Sequence, residues 1–537
     1  MKTIKSKQTW LWGMAGVVAL VMALAACNFM AEPPDTKPAT LTETGLTRHE
    51  YLAALKTQDN HKLSVDELQS VVNATLNTTS GGRSVAPQGK TITGVQKMPL
   101  NAQYFTSSGL GRSAAGEAET EPVEVFAFAV ENPDGGDEGF VLASNDIRVG
   151  TILAVAEGSL EDGPEDFVEI LQLGLQDYIA TTILEYNRIT EAEIEAALEK
   201  AAAEQTEEAR GTGTDSGVPS YGNNVYVVSS NLSIVKSAML LTKWGQGDLG
   251  AYSADKTAYN NYVKVQRNDD YLYTGCGPTA IAQIIAYHDY IVPHSSLPLP
   301  GAFFHSQRGL WHGSFSMLHI VRTVETITNT SSNSAKGHVA VLMWYIGHPQ
   351  IGNATYHHVY DAVKNEHDSW TSLSTSNAQN VFIKLGYTIP NYAISPTVVT
   401  GSSNFTITYN TSLATIKNAL NNNRPIYFVG DSKTKKIEEG KEVEKKVGHA
   451  WVIDGHGTMT WYSELYLLNG DREGRYITLS SDNLMVHCNL GWDGRADGWY
   501  IYGIFDTDKQ LLLENGPLLS NGNFSLNTEM FIPQKPN

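Results

Sequence analysis

The pattern of apolar and polar positions predicts a mixed α+β protein with more than one folded region. Asp166 to Tyr186 places apolar residues at helical spacing and predicts an amphipathic helix. Val123 to Val130 predicts a strand, Gly139 to Leu142 its partner, and the polar segment 132–137 the turn between them. These elements predict a small α+β domain that begins near Leu46. The apolar side chains of its helix that are available for burial are Phe167, Ile170, Leu171, Leu173, Tyr178, Ile179 and Ile183.

A further helix is predicted directly after a cysteine. From Ala280 the apolar residues recur at helical spacing, and Gly277 and Pro278 mark the start of the helix. Cys276 therefore lies at the positive end of a helix, where unpaired N–H groups and the macrodipole lower the pKa of a thiol. That position suits a nucleophile. A lone cysteine in an apolar segment is also often an inert small hydrophobic residue, so position alone leaves both interpretations open.

Composition limits the classes of protein to consider. The 537 residues exceed what one hydrophobic core usually holds, and 42% hydrophobic with 18% charged residues is typical of globular domains. The net charge of -19 disfavours nucleic acid as a partner. With cysteines only at positions 27, 276 and 488, the chain is not a disulfide scaffold, and Cys276 is predicted to be free.

The N-terminus predicts export. Basic residues precede an apolar run from Trp10 to Ala26, which resembles a secretion signal and is short for a membrane span. The small residues before Cys27 resemble a bacterial lipobox, which predicts lipidation of Cys27 and attachment to the outer membrane or cell surface. A plain signal peptide cut nearby is the alternative. Residues 28–45 are a Pro-rich tether.

The rest of the chain divides by composition. Residues 46–188 are predicted to form the N-terminal domain, and residues 221–537 suit one larger domain. Between them, residues 189–220 are acidic and then Gly-rich, which predicts a linker that is cut during maturation. An uncut spacer is the alternative.

Three further residues could serve a thiolate nucleophile, which needs a base, a group that orients the base, and oxyanion donors. His449 lies on an apolar strand that is predicted to lead into a tight turn. Asn489 follows a predicted strand at 485–488, and Gln246 lies in a loop before Cys276. Taken singly, each is equally a structural residue. Their order along the chain, Gln, Cys, His and Asn, is what suggests a site.

At these residues the chain resembles the streptopain family of papain-like bacterial cysteine peptidases. The resemblance covers about half of the chain. The motifs that carry it are Trp244 with Gln246, the segment 275–283 around Cys276, the segment 448–455 around His449, the segment 487–494 around Asn489, and the aromatic ending 497–500.

The resemblance implies a two-lobed papain-like α+β peptidase domain, preceded by a small α+β propeptide that covers the cleft. It implies a cysteine endopeptidase, made as a zymogen, with protein or peptide substrates and its own propeptide as inhibitor. Together with the N-terminal signal, this predicts a secreted enzyme, and no cofactor or metal is expected. Family members often prefer a hydrophobic residue beside the cleaved bond. The implied roles are Cys276 as nucleophile, His449 as general base and then acid, Gln246 as oxyanion donor, Asn489 as orienter of the imidazole, and Trp492 and Trp244 as shielding residues of the cleft.

Two departures from the family pattern stand out. Leu490 occupies the position after the motif asparagine where family members commonly have Trp. A thinner shield around the His–Asn pair predicts slower turnover, which a Leu490→Trp variant would reverse. In addition, Gly277 and Pro278 after the cysteine are closer to other papain-like groups, such as bacteriocin-processing peptidases.

Other features invite weaker hypotheses. Histidines 338, 348, 357, 358 and 367 lack the paired spacing of a zinc site. The charged segment 433–446 is predicted to be a solvated loop, with a cap over the cleft as the alternative, since it leads directly to His449. Cys488 is predicted to be packed and unreactive. Two alternative functions stay open: a catalytically weakened surface lipoprotein that binds peptides or host proteins, and acyl transfer to an amine.

Overall fold

An antiparallel sheet of ten strands forms the centre of the protein in the computed structural model. The structure describes residues 46–58, 60–78, 90–100, 123–131, 138–161, 163–203, 220–247, 272–288, 296–297, 315–316, 333–361, 366–390, 396–400, 405–410, 412–438, 441–469, 472–505, 511–513, 516–517 and 527–535. The predicted signal segment with Cys27, the tether 28–45, the turn 132–137 and the linker portion 204–219 lie outside these residues.

Eight helices and several short strands outside this sheet complete the described part of the chain. The helices are α1 Arg48–Leu55, α2 Val65–Thr78, α3 Glu165–Arg188, α4 Glu191–Ala203, α5 Cys276–His288, α6 Asn333–Gly347, α7 Thr375–Lys384 and α8 Ser412–Asn421, with a 3-10 turn at Tyr502–Ile504. The strands are β1 Thr91–Lys97, β2 Val125–Glu131, β3 Glu138–Ser144, β4 Ile152–Glu157, β5 Ser220–Lys236, β6 Ser296–Leu297, β7 Phe315–Ser316, β8 Thr355–Asp361, β9 Glu366–Ser372, β10 Pro396–Thr400, β11 Phe405–Asn410, β12 Ile426–Glu438, β13 Lys441–Asn469, β14 Arg472–Asn489, β15 Gly498–Ile501, β16 Leu511–Leu513, β17 Gly516–Pro517 and β18 Asn527–Phe531. The fold is therefore of the mixed α+β class.

The elements predicted for the N-terminal domain are confirmed. β2 pairs with β3 in antiparallel register, and α3 extends the predicted helix by a few residues. Six of the seven side chains predicted for burial on α3 are buried, and Ile183 packs partly buried against the same core.

The N-terminal strands join the C-terminal strands in one sheet. Its order is β1-β2-β3-β4-β15-β14-β13-β12-β18, with β5 paired to β13. The junction is β4 with β15, where Gly498 lies opposite Ala156. A Cβ at position 498 would lie 2.4 Å from the Cα of Ala156, so this close approach requires glycine. The glycine of the aromatic ending 497–500 thus permits the N-terminal region to dock.

The two faces of β13 pack against different helices. Successive side chains of a strand point to opposite faces. Trp451 and Ile453 belong to the core that α3 covers, whereas Ala450 and Val452 belong to the core that contains α5. The helix that carries Cys276 and the helix of the N-terminal region therefore cover opposite faces of this strand.

Three local predictions differ from the structure. Residues 191–203 of the predicted linker form α4, whose Ile194, Ala197 and Leu198 are buried. The charged segment 433–446, predicted as a loop, is the end of the β12–β13 hairpin, in which backbone pairing continues to Glu438 and Lys441. No tight turn ends the strand at 454–455, because β13 continues through a bulge there and pairs with β14 and β5. Strand propensity and turn residues are local signals, and long-range pairing outweighs them here.

Candidate active site

Helix α5 begins at Cys276, as predicted. Its first turn is held by a side-chain hydrogen bond from Thr279 and by close packing at Gly275. The Thr279 hydroxyl donates to the Gly275 carbonyl at 2.9 Å. Gly275 has φ +95°, and a Cβ there would lie 2.7 Å from the Thr371 side chain. Only glycine fits this conformation and this space without strain. The turn therefore presents Cys276 at the helix N-terminus, with part of its surface exposed.

The thiol of Cys276 is held neutral in this structure. Burial raises its pKa to about 11. The Ala450 N–H beside the sulfur opposes this rise, and the carboxylate of Asp166, at the start of α3, adds to it. The macrodipole predicted a low pKa, but desolvation of the thiolate is the larger effect.

His449 is buried and neutral. Its Nε2–H donates to the carbonyl of Leu490 at 2.9 Å, which leaves Nδ1 as the unprotonated nitrogen. Burial lowers the pKa of His449 to about 4. Its ring stacks on Trp451, with centroids 6.2 Å apart, and meets the edge of Phe167 at 6.0 Å.

The thiol and the imidazole do not form an ion pair here. Among the described residues, no hydrogen bond joins Cys276 and His449: the sulfur lies at the Ala450 backbone, and the imidazole bonds to Leu490. A pKa of about 11 for the thiol and about 4 for the imidazole keeps the proton on sulfur. The structure thus brings both residues to one region of β13 in an unreactive state.

Asn489 lies at the end of β14 and is 3% exposed. Its Nδ2 donates to the Thr242 carbonyl at 2.8 Å, and its Oδ1 accepts from Gln283 Nε2 at 2.8 Å and from the Gly491 N–H at 3.2 Å. The carbonyl of Leu490, rather than the Asn489 amide, accepts from the imidazole in this state.

Gln246 is buried, and its backbone is bound to the segment that precedes Cys276. Its carbonyl accepts from the N–H and the hydroxyl of Thr274, at 2.9 and 3.1 Å. Thr274 is two residues before Cys276, so the backbone of Gln246 is tied to the start of α5. This is the region in which an oxyanion donor is needed.

The two predicted shielding residues have different surroundings. Trp244 is fully buried in the core that contains α5. Trp492 is half-buried, and its ring lies 5.8 Å from that of Tyr273. Trp451 and Phe167 are the rings that contact His449.

Leu490→Trp is expected to lose stability. The Leu490 side chain is 0% exposed and packs within the core that also contains Cys488 and Trp499. Adding an indole to a filled core typically costs about 1–3 kcal/mol. Urea unfolding of the full-length Cys276→Ala protein, with and without Leu490→Trp, measures the difference. An unchanged or higher midpoint would show that the site has room for the indole that the family motif carries.

Three buried polar residues near the site, His487, Asp454 and Asp497, lie within the sequence motifs but were not predicted to have a role of their own. His487 Nδ1 lies 2.6 Å from Asp454 Oδ1, and Asp454 Oδ2 accepts from the Leu240 N–H at 2.8 Å. Burial alone would lower the pKa of His487, but the charge of Asp454 and the hydrogen bond to it raise it. Asp497 accepts from the Leu490 N–H at 2.7 Å, and burial raises the pKa of Asp497 to about 7. Polar residues inside apolar strands were the signal that could have identified them.

Phe167 was predicted only as a core residue, yet it contacts the site. Its ring lies 5.8 Å from Trp451, 5.6 Å from Tyr500 and 6.0 Å from His449. The neighbouring Asp166 acts on the pKa of Cys276. The first turn of α3 therefore covers His449 and places a negative charge that acts on the Cys276 thiol.

Cys276 and Cys488 are both free, and Cys488 is buried with its pKa well above the usual value because of burial. Within the described ranges, no three side chains of the metal-binding types converge on a common point. None of the helices in the part of the chain that the structure describes is long and apolar enough to cross a bilayer.

Comparison with models of protein families shows that residues 254–500 match the model of the Peptidase C10 family, the streptopain family. This range contains Cys276, His449 and Asn489, and it starts just after Gln246. No curated protein matches the chain. The resemblance inferred from the motifs is confirmed for this part of the chain.

Proposed function

We propose that the full chain is the zymogen of a cysteine endopeptidase, because residues 254–500 match the Peptidase C10 family of cysteine peptidases. The substrates are proteins or peptides. The N-terminal region, residues 46–188, serves as the inhibitory propeptide, and residues 221–537 form a two-lobed papain-like domain. The proposal goes beyond the family match in assigning the zymogen state and the role of each residue.

In the active enzyme, Nδ1 of His449 takes the proton of the Cys276 thiol, and the thiolate attacks the scissile carbonyl carbon. Gln246 and the backbone N–H of Cys276 donate to the oxyanion. His449 then gives its proton to the leaving amine, and the amine departs from a thioester. Water, deprotonated by His449, attacks the thioester and releases the acid product and the thiol.

The observation that carries the zymogen proposal is the state of the pair in the intact chain. A reactive pair needs the proton on the imidazole, but here it stays on sulfur, because burial disfavours both charged forms. The first turn of α3 supplies part of the burial of His449 through Phe167, and the negative charge of Asp166 acts on the thiol. Removing α3 would expose His449 to water and remove this charge from the neighbourhood of the thiol.

The same proposal includes export and maturation. The apolar N-terminal run and Cys27 support lipid anchoring at the cell envelope. Because α4 is packed, the cut that matures the enzyme falls between Ala203 and Ser220. Such a cut would free the peptidase from its anchor.

The first test expresses the chain without residues 1–27, beside a Cys276→Ala control. The size of the precursor and the hydrolysis of casein are followed with and without a thiol-directed inhibitor. Shortening and inhibitor-sensitive hydrolysis are expected in the parent alone. A parent that stays intact and inactive, even after an added protease has cut between residues 203 and 220, would contradict the proposal and favour a peptide-binding lipoprotein.

A further inference from the structure

Buried hydrogen bonds join three segments of the chain near the nucleophile: the interior of α5, the end of β14 and the loop 242–246. Gln283, on α5, donates from Nε2 to Asn489 Oδ1 at 2.8 Å and accepts the Trp244 N–H at Oε1 at 3.3 Å. Asn489 in turn donates to the Thr242 carbonyl at 2.8 Å. The loop 242–246 is therefore bound by two amide side chains that are also bound to each other.

Both amides are held in a dry environment. Gln283 is 0% exposed and Asn489 is 3% exposed. Gln283 lies between apolar neighbours of α5, where an unpaired amide would be costly. Each amide oxygen and nitrogen of this pair has a hydrogen-bond partner. A buried network in which every polar heavy atom has a partner is rigid and specifies one arrangement of the segments it joins.

This network fixes the loop that carries Gln246. Trp244 and Thr242 are anchored by Gln283 and Asn489 at one end. At the other end the Gln246 carbonyl is anchored to Thr274, beside Cys276. The loop is thus tied to the start of α5, to the interior of α5 and to the end of β14.

We infer that Gln283 is a positioning residue, which acts with Asn489 to hold Gln246 at the oxyanion of the reaction. This inference rests on the oxyanion role proposed above for Gln246. It assigns the Asn489 amide to the oxyanion loop, while the Leu490 carbonyl sets the tautomer of His449. Gln283 itself contacts neither the substrate nor the sulfur in this role.

A double-mutant cycle tests the inference in the full chain after it has matured. The variants are Gln246→Ala, Gln283→Met and the two combined, with kcat and KM measured on one fluorogenic peptide. Loss of an oxyanion donor lowers kcat by about 100-fold or more, so this is expected for Gln246→Ala. Gln283→Met is expected to lower kcat by at least about 10-fold with little change in KM, since the misplaced donor acts in the transition state. The combined variant is expected to be no slower than Gln246→Ala alone.

The other outcomes contradict either the inference about Gln283, the oxyanion role of Gln246 or the proposed function. If the two losses multiply, Gln283 does not act through Gln246, and the inference fails while the proposed function stands. If Gln246→Ala is as fast as the parent, the oxyanion role and the inference fail together. If no thiol-dependent hydrolysis is seen in the parent, the proposed function fails, and the inference fails with it.

Two further variants separate positioning from folding. Gln283→Glu keeps the size of the side chain and the acceptor for Trp244, but it sets a carboxylate oxygen against the Asn489 Oδ1 acceptor; its loss in kcat is expected to be at least as large as that of Gln283→Met. It replaces Gln283→Met in the cycle if the latter does not fold. Gln379→Met, on α7, is the matched control for exchanging a glutamine on a helix, and it is expected to keep the parental kcat.

Discussion

Release of the N-terminal region is expected to raise the rate at which iodoacetamide alkylates Cys276 at pH 7 by about 100-fold or more. In the intact chain, burial raises the pKa of this thiol to about 11. Only the thiolate reacts, and an ordinary cysteine has a pKa of about 8.5. We expect the pKa of Cys276 to return to this ordinary value once the N-terminal region has left. That is a fall of at least two units, which increases the thiolate fraction at pH 7 about 100-fold.

The pH dependence of the alkylation rate shows the direction of the change in the Cys276 pKa, independently of the absolute rate. A raised pKa means that the thiolate is scarce below it, so the rate for the intact chain should keep rising about tenfold per pH unit until the pH nears 11. After release, the profile should level off at a lower pH.

The experiment uses a His449→Ala background, which prevents self-cleavage, and an added protease makes the cut. Mass spectrometry of the peptide that contains Cys276 reports its modification, with buried Cys488 as the internal control. Identical profiles before and after release would show that the N-terminal region does not control the nucleophile.

Phe167→Ala is expected to abolish latency. The Phe167 ring is 0% exposed and packs against His449, Trp451, Tyr500 and Phe505. Removing a buried phenylalanine ring costs about 3–5 kcal/mol, and each 1.4 kcal/mol is about a factor of ten in an equilibrium constant. The population in which α3 has left the site should rise by about 100-fold or more. Alkylation of Cys276 at pH 7 in the intact His449→Ala chain should then increase by at least about tenfold.

Ile183→Ala provides the matched control for that experiment. Ile183 lies farther along α3 and packs partly buried against the same core. If docking of Phe167 on Trp451 and Tyr500 is what silences the site, Ile183→Ala should have a much smaller effect on alkylation than Phe167→Ala. Equal effects would mean that general loosening of the N-terminal region, rather than the contact of Phe167, controls access.

The local elements of this protein could be predicted from the sequence because their signals are local. The helix after Cys276 follows from apolar spacing with Gly277 and Pro278 at its start, and α3 follows from its amphipathic pattern. The pairing of β2 with β3 follows from two apolar segments separated by a short polar one. The hairpin at 433–446 was missed because alternating charges also describe a solvated loop, and α4 was missed because an Ala- and Glu-rich segment also suits a linker.

The candidate site could be predicted only as a set of residue types. The motifs pointed to Cys276, His449, Asn489 and Gln246, and the first three of these lie within residues 254–500, which match the Peptidase C10 family. They could not show that Gln283 binds Asn489, since those two residues are 206 positions apart in the chain. They also could not show that Phe167 contacts His449. A helical apolar pattern predicts which side of the helix is buried, but not which residues pack against it.

The sequence by itself determined which residues could do the chemistry and which segments form helices and strands, because side-chain type and hydrophobic periodicity are properties of short segments. Tertiary structure alone decided the state of the site. The start of the helix predicted a low pKa for Cys276, yet burial and the charge of Asp166 from a distant helix raise it to about 11. Desolvation depends on everything that packs around a group. In this chain the N-terminal region, which joins the sheet through β4 and β15, contributes the Phe167 ring against His449 and the charge of Asp166 that acts on Cys276.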